Sequence, residues 1–267
     1  MISIDCIFVK ILITKHIYTG HVLEIPMDAL RVTRLLEENR APVFTTQQIS
    51  AILGMEPSSA AVKLHRLARD GALVRVMRGR YCLPSVHPVA VASGLYVPSY
   101  VSLLAAFEFH GTTTQSTRVI DVMNPRRSGS LSVTLDAGPY DITFIHLPPV
   151  LIYGLERVRI VGKDAFVASK ERAIVDGLML PGNVPLDETV ACMRSGVDVE
   201  RLVEYAHRTG RQVVAKRLGH LLKSEGVDFD PVALGTISDT YVPLDPSFPR
   251  RGEHDTRWRV IKNRVIE

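Results

Sequence analysis

The chain has 267 residues, of which 46% are hydrophobic and 22% are charged, so it holds enough apolar material for two folded domains. No run of about 18 apolar residues is free of charge, so the sequence predicts no transmembrane helix. Cys6, Cys82 and Cys192 form neither a CxxC pair nor a Cys/His zinc spacing, which predicts a reduced, cytoplasmic setting.

The net charge of +4 is unevenly distributed along the chain. Residues 27–90 contain nine Lys or Arg and five Asp or Glu, so the remainder sums to zero. Residues 58–83 carry six basic side chains and a single acidic one, Asp70. A basic excess confined to a short segment is what an anion-binding surface requires. Charge alone, however, favours an ordinary solvated helix face.

The first 26 residues are apolar and rich in β-branched side chains, but Asp5 and Lys10 interrupt them. They lack the basic start and cleavage site of a signal peptide. Two interpretations stay open: an additional strand, or an upstream extension with Met27 as the real start. In the second case a chain beginning at Met27 is expected to fold and function like the full chain.

Two helices are predicted next. Residues 28–39 form an amphipathic helix that Pro42 ends. In the segment VFTTQQISAILG, Thr45 and Gln48 have the spacing of a capping box, and Gly54 is a natural stop.

A tight turn leads to a further helix, which runs from about Pro57 to Asp70. The segment ALVRVMRGRYCLP then alternates apolar and basic residues around Arg78 and Gly79, which predicts a β-hairpin. A capped helix, a turn, a second helix and a basic hairpin together are typical of a winged helix-turn-helix. In that fold the second helix enters the major groove of DNA, which is about 12 Å wide.

The predicted DNA-binding side chains are polar or cationic and lie at the two helix starts, along the second helix and on the hairpin. They are Thr45, Thr46, Gln47, Ser58, Ser59, Lys63, Arg66, Arg75, Arg78 and Arg80. The alternative is a structural winged helix that mediates protein contacts. We expect His65, on the same helix, to be a partly buried packing residue.

From about Leu95 onward, short strands and helices alternate, and Trp258 is expected to anchor the last strand in the core. Three prolines in the stretch 84–98 predict a linker or a domain junction. The predicted fold class is therefore α+β. A winged helix-turn-helix at residues 27–90 precedes a mixed α/β C-terminal domain at residues 91–267.

Enzymatic chemistry has little support in the sequence. It contains no GxSxG, HExxH, P-loop or GxGxxG motif, and no metal or cofactor site is predicted. Charged residues cluster on one predicted helix: Lys170, Glu171, Arg172 and Asp176. Arg172 and Asp176 are four apart and are expected to pair on its surface. In the turn NPRRSG, Arg126 and Arg127 either extend the DNA contact or, as we favour, simply solvate a loop.

The segment VFTTQQISAILGMEPSSAAVKLHRLARDGALVRVMRGRYCL resembles the N-terminal domain of AbiEi-type antitoxins. Three later stretches add to the resemblance: YVPSYVSLLAAFEFHGTTTQ, ASKERAIVDGLML and YVPLDPSF…RWRVIKNRVIE. No single motif decides it, but their order and spacing do, and they extend from Met27 to the C-terminus. Residues 1–26 match nothing expected of the family.

The resemblance implies a transcriptional autorepressor of a two-gene abortive-infection (phage-defence) system. It also implies an antitoxin against a nucleotidyltransferase-like toxin, with no stable complex required. The partners would be double-stranded DNA of the protein's own promoter and that toxin. The charged helix at residues 170–176 would then be the candidate antitoxin site, although a purely structural role is favoured.

Other functions stay open at this stage. One is a stand-alone winged-helix transcription factor whose C-terminal domain senses a ligand or protein, and a weaker one is an enzyme with an appended winged helix. If the antitoxin interpretation holds, a fragment from about Leu95 onward is expected to stay folded, lose promoter binding and keep some protection against the toxin. The operator sequence and the oligomeric state do not follow from the sequence.

Overall fold

A computed structural model of the protein describes residues 27–266. Both interpretations of residues 1–26 fall outside the described residues. The chain divides into two compact units between Glu38 and Asn39. The described part of the first unit is helix α1 (Met27–Glu38). Within it, Arg34 pairs with Glu38 one turn later, at 3.1 Å, as their spacing predicts.

The second unit opens with a small three-stranded sheet and two helices. The strands are β1 (Phe44–Thr45), β2 (Val74–Met77) and β3 (Arg80–Cys82), in the order β1-β3-β2 with antiparallel pairing. The helices are α2 (Thr46–Leu53) and α3 (Pro57–Arg69). This is the predicted helix-turn-helix followed by a β-hairpin, here called the wing (residues 74–82).

Local hydrogen bonds fix the start of α2 and the turn behind it. The Thr45 hydroxyl accepts from the Gln48 amide at 3.1 Å, and the Gln48 side chain accepts from the Thr45 amide at 2.8 Å, which confirms the capping box. Gly54 ends the helix at φ +62°, a left-handed conformation that glycine adopts without strain. The Ser50 hydroxyl then donates to the Met55 carbonyl at 2.6 Å, and this bond connects α2 to the turn that leads into α3.

A mixed six-stranded sheet forms the centre of the remaining chain. Its strands are β4 (Tyr100–Ser102), β5 (Val119–Asn124), β6 (Gly129–Leu135), β7 (Gly138–His146), β8 (Leu155–Ile160) and β9 (Lys163–Ala168). Their order is β6-β7-β5-β4-β9-β8, with β5–β7 and β4–β9 parallel and the other pairs antiparallel.

Six helices accompany this sheet. They are α4 (Pro88–Gly94), α5 (Leu103–Phe109), α6 (Lys170–Met179), α7 (Leu186–Arg194), α8 (Val199–Arg208) and α9 (Gln212–Ser224). Single 3-10 turns occur at Pro149–Leu151 and Pro231–Leu234. Every residue from Glu171 to Met179 is buried, so α6 is a core helix.

The prediction that the stretch 84–98 is a linker is wrong, whereas its alternative, a domain junction, stays a prediction. Pro88 occupies the first turn of α4, where a proline costs no helical hydrogen bond, and the helix packs against β9, β5 and β4. Residues 88–93 are all buried. Pro88 therefore opens a short core helix, and Pro84 and Pro98 lie outside it.

Hydrogen bonds join the winged-helix segment to the larger sheet within the second unit. The Asp136 amide donates to the Pro84 carbonyl at 2.9 Å. The buried Lys163 ammonium donates to the Asn39 carbonyl at 2.6 Å. Both contacts connect the sheet to segments at the two ends of the winged helix, so the two parts share one compact unit.

A second small sheet closes the chain, with strands β10 (Val242–Pro243), β11 (Glu253–Asp255) and β12 (Val260–Lys262) in the order β10-β12-β11. Trp258 is buried, as predicted, and its ring stacks on Phe229 at 5.8 Å. A Cβ at Gly219 of α9 would lie 2.3 Å from that ring, so only glycine fits there.

Candidate nucleic-acid interface

Helix α3 presents a clear division between a buried stripe and an open face. Ala60, Leu64 and Leu67 are buried in the core. The opposite side is exposed, and Val62, at 54% exposure, lies at its centre with His65 and Arg69. The prediction that His65 is partly buried is therefore wrong. One residue is about 100° of helix, so His65 turns away from the stripe although it adjoins Leu64 in sequence.

The predicted contacts on α3 differ in exposure. Ser58, Ser59 and Arg66 are exposed, whereas Lys63 is only half-exposed and flanks the buried stripe. Arg69 is exposed and pairs with Asp70 at 3.1 Å, an exposed salt bridge. The cations best placed on this helix are thus Arg66 and Arg69 rather than Lys63.

The first turn of α3 keeps its backbone donors uncapped. Pro57 fills the first position, and within the described residues the N-cap Glu56 makes no side-chain hydrogen bond to the helix. Uncapped N–H groups and the positive end of the helix dipole favour an anion such as a phosphate. The hydroxyls of Ser58 and Ser59 add donors beside them.

The wing tip lies against the start of α2. The hairpin turns at Arg78 and Gly79, and Gly79 has φ +70°, which favours glycine. The Thr46 amide donates to the Gly79 carbonyl at 3.0 Å. The predicted positions Thr46 and Gln47 therefore share one end of the domain with the wing tip. Thr45 is there too, with its hydroxyl already used as the cap of α2.

Four arginines of this surface form no salt bridge among the described residues. Arg75 and Arg78 are exposed and Arg80 is half-exposed. Among residues 27–266, none of these three or Arg66 forms a salt bridge. An uncompensated basic surface beside an open helix face suits a polyanionic partner.

Tyr96 is a residue of this surface that was not predicted from the sequence. The Arg80 guanidinium lies 5.1 Å from its ring centroid, in cation–π geometry. The Tyr96 hydroxyl donates to the Met77 sulfur at 3.3 Å. Tyr96 thus contacts the two residues that flank the wing tip, from the segment that follows α4. Only its aromatic character, two residues after the end of α4, distinguished it in the sequence.

The charged cluster on α6 is mostly interior. Arg172 and Asp176 do pair, but both side chains are 0% exposed, so the expectation of a surface pair is wrong. The physical reason is that α6 is surrounded by the sheet and by α5, α7, α8 and α9, which leaves it no solvent face. Glu171 is also buried and accepts from the Asp198 amide at 3.0 Å. Lys170 alone of the four is half-exposed.

Burial shifts the ionisation of this pair. Desolvation raises the pKa of Asp176, although the bonds it accepts from Arg172 and Ser102 oppose that shift. Burial also raises the pKa of Tyr100, which donates to Asp176 at 3.2 Å. The Arg172 guanidinium lies 4.3 Å from the Tyr153 ring, and its Nη1 is the end left without a hydrogen bond among the described residues. The cluster has the character of a packed structural network.

Residues 27–266 offer neither a membrane-spanning helix nor a metal site. No helix in this range is long and apolar enough to span a bilayer. No group of three or more His, Cys, Asp or Glu side chains in the same range is arranged to hold a metal ion.

The fold defines an α+β protein with an N-terminal winged helix-turn-helix. Residues 31–84 match a protein family described as "Transcriptional regulator, AbiEi antitoxin", which confirms the resemblance over that segment. The chain is also similar to the crystal structure of the RV2827C protein from Mycobacterium tuberculosis. The TM-score is 0.56 with 18% identity, over 89% of this chain and 92% of that one, which shows a shared fold. No curated protein matches the sequence.

Proposed function

We propose that the protein represses transcription from its own promoter and acts as the antitoxin of an abortive-infection toxin–antitoxin pair. The observation that carries the proposal is the unneutralised wing (Arg75, Arg78 and Arg80) beside the exposed face of α3. It lies within the segment that matches the antitoxin and regulator family. The proposal involves no enzymatic reaction and no cofactor.

In this proposal α3 enters the major groove and the wing contacts the backbone. Ser58, Ser59 and Arg66 face the bases and the adjoining phosphates. Arg75 and Arg78 bind phosphates on the flank, and the α2 start binds the strand beside the wing tip. Phosphate contacts of this kind release counterions, so affinity depends steeply on salt.

The antitoxin role rests on the family match. We infer that the toxin is a nucleotidyltransferase-like protein encoded by the adjacent gene, and that no stable complex is required. We assign this role to residues 91–267. Of the four charged residues on α6, Lys170 is the one with an accessible side chain, whereas Glu171, Arg172 and Asp176 support the fold.

An experiment with two arms tests the two parts of the proposal, and the first arm is a reporter assay for repression. The region upstream of the gene drives a reporter, with wild-type protein or with Arg75→Ala/Arg78→Ala supplied in trans. Repression by the wild type and its loss in the variant are expected. A control with Arg250→Ala/Arg251→Ala removes the same charge from an exposed loop near the C-terminus and should repress normally.

The second arm co-expresses the adjacent gene. Wild-type protein should restore growth, and the wing variant should do so too if supplied from an independent promoter. Failure of the wild type to repress would refute autoregulation. Repression without rescue would instead favour a stand-alone transcription factor whose C-terminal region senses another ligand or protein.

A further inference from the structure

We infer that the turn between β5 and β6, residues 124–130, is a second phosphate-binding element that extends the DNA interface onto the C-terminal region. The inference rests on the proposed DNA binding and adds a part of the surface to it. Its cations, Arg126 and Arg127, are both exposed.

The turn is held in shape by a buried side chain. The Asn124 Oδ1 accepts from the amides of Arg126 and Arg127 at 3.0 and 2.9 Å. The Asn124 Nδ2 donates to the Arg127 carbonyl at 3.0 Å. Asn124 itself is fully buried. The two arginines therefore project from a preformed turn, so little ordering entropy is lost when they bind.

Tyr96 joins this turn to the wing. The Arg127 guanidinium donates to the Tyr96 hydroxyl and lies 5.1 Å from the ring centroid. Arg80 lies at the same distance from the same ring. In the wing sheet Arg80 pairs with Thr45 and with Met77, next to the two-residue tip. The turn thus lies beside the wing-tip end of the domain, where we place the DNA backbone.

The charge on the turn is uncompensated, unlike that on several arginines elsewhere in the same region. Arg157, Arg194 and Arg264 each pair with a carboxylate. Within the described part of the chain, neither Arg126 nor Arg127 forms a salt bridge.

Two guanidinium groups on one ring also repel each other. Those of Arg80 and Arg127 are at most about 10 Å apart, given their equal distance from the Tyr96 centroid. An anion bound near both groups would lessen that repulsion.

The ligand that fits is the phosphodiester backbone of duplex DNA. A guanidinium binds phosphate with paired hydrogen bonds, and the exposed hydroxyls of Ser128 and Ser130 supply further donors. Contacts to the backbone position a protein without reading sequence. The element is therefore expected to strengthen binding to all duplexes about equally.

The test uses the full-length protein and fluorescence anisotropy at several salt concentrations. The probes are a labelled duplex of the protein's own upstream region and a shuffled duplex of the same length. Arg126→Ala is the primary variant because, among the described residues, its side chain makes no hydrogen bond or salt bridge, so the fold should be unaffected. Arg251→Ala is the matched control, with the same loss of one charge from an exposed loop.

We expect Arg126→Ala to lower the affinity for both duplexes by about tenfold. It should also reduce the slope of log K against log salt by about one. Arg127→Lys retains the positive charge, so the salt dependence of its DNA affinity should equal that of the wild type. Arg251→Ala should match the wild type throughout.

An Arg126→Ala protein that binds like Arg251→Ala would overturn the inference while leaving the proposed function intact. A loss confined to the upstream duplex would also overturn it, since that would indicate base recognition. A wild-type protein that binds neither duplex would refute the proposed DNA binding itself, and this inference with it.

Discussion

Arg172 and Asp176 form a salt bridge of 2.6 Å in which both side chains are completely buried. Ser102 and Tyr100 also donate to the same carboxylate, at 2.8 and 3.2 Å. Such a network joins α6 to strand β4. Removing one partner leaves a buried charge without compensation, which costs far more than the loss of a surface pair.

Asp176→Ala is therefore expected to lower the free energy of unfolding by about 3–5 kcal/mol. The matched control is Glu38→Ala, which breaks the i,i+4 pair with Arg34, exposed by 79% and 63%. That change should cost less than about 1 kcal/mol. Urea denaturation measures both. Equally small losses of unfolding free energy in the two variants would show that the α6 pair is exposed to solvent in solution. An Asp176→Ala protein of normal stability that lacks antitoxin activity would instead give the residue a functional role.

Asp121 on β5 is another buried carboxyl, with 7% exposure and no hydrogen-bond or salt-bridge partner for its side chain within residues 27–266. Burial raises its pKa from 3.8 to about 6. A carboxyl whose pKa is raised by folding favours the folded state while protonated. Its contribution is present below the unfolded pKa and is lost as pH rises through the folded value.

Asp121→Asn is thus expected to stabilise the protein at pH 8, by an amount on the order of 1–3 kcal/mol. The advantage should shrink between about pH 6 and pH 4, and it should be absent below that range. Thermal denaturation across pH checks this, with the exposed Asp228→Asn as a control that should have little effect at any pH. An advantage that grows as pH falls would contradict the account.

The position of α4 changes the expectation for fragments. A chain that begins at Leu95 lacks this helix, whose removal uncovers the apolar surfaces of β9 and β5. Each large buried side chain contributes about 1.5–3 kcal/mol. We therefore expect the fragment from Leu95 to aggregate or melt without cooperativity, contrary to the sequence-based expectation, and a fragment from Pro84 to fold better. Circular dichroism and size-exclusion chromatography compare the two fragments. Equally cooperative melting of both would show that α4 is not needed for folding.

On α3, Arg66→Ala should weaken DNA binding more than Lys63→Ala, because Arg66 is exposed and Lys63 is half-buried beside the core stripe. Arg78→Ala at the wing tip should weaken all sequences about equally and lower the salt slope by about one. Gel-shift titrations against the upstream region and shuffled DNA measure all three. A Lys63→Ala variant that loses more affinity than Arg66→Ala would mean that α3 presents a different face to the groove.

The winged helix was predictable because its determinants are local. Thr45 and Gln48 form a cap within one turn, Gly54 ends the same helix, and Gly79 permits the hairpin turn. Each of these features depends on a few neighbouring residues, so the sequence alone was enough to place α2, α3 and the wing.

Two of the errors concern residues whose environment comes from distant parts of the chain. A charge pair spaced i,i+4, such as Arg172 and Asp176, is usually on a helix surface, and nothing local revealed that four other helices and the sheet enclose it. Three prolines suggested a linker, whereas one of them opens α4. Tyr96 and Arg127 are 31 residues apart, so their contact also arises only from the tertiary fold.

Competition binding measures whether the protein recognises its own upstream DNA specifically. The dissociation constant of the full-length protein is measured for its own upstream region and for a shuffled duplex, at physiological salt and at higher salt. We expect binding to the upstream region to be at least about a thousandfold tighter than to the shuffled duplex. We also expect a salt slope of about −3 to −5, as three to six phosphate contacts would give. Equal affinity for the two duplexes, or binding that is indifferent to salt, would contradict the proposed DNA recognition.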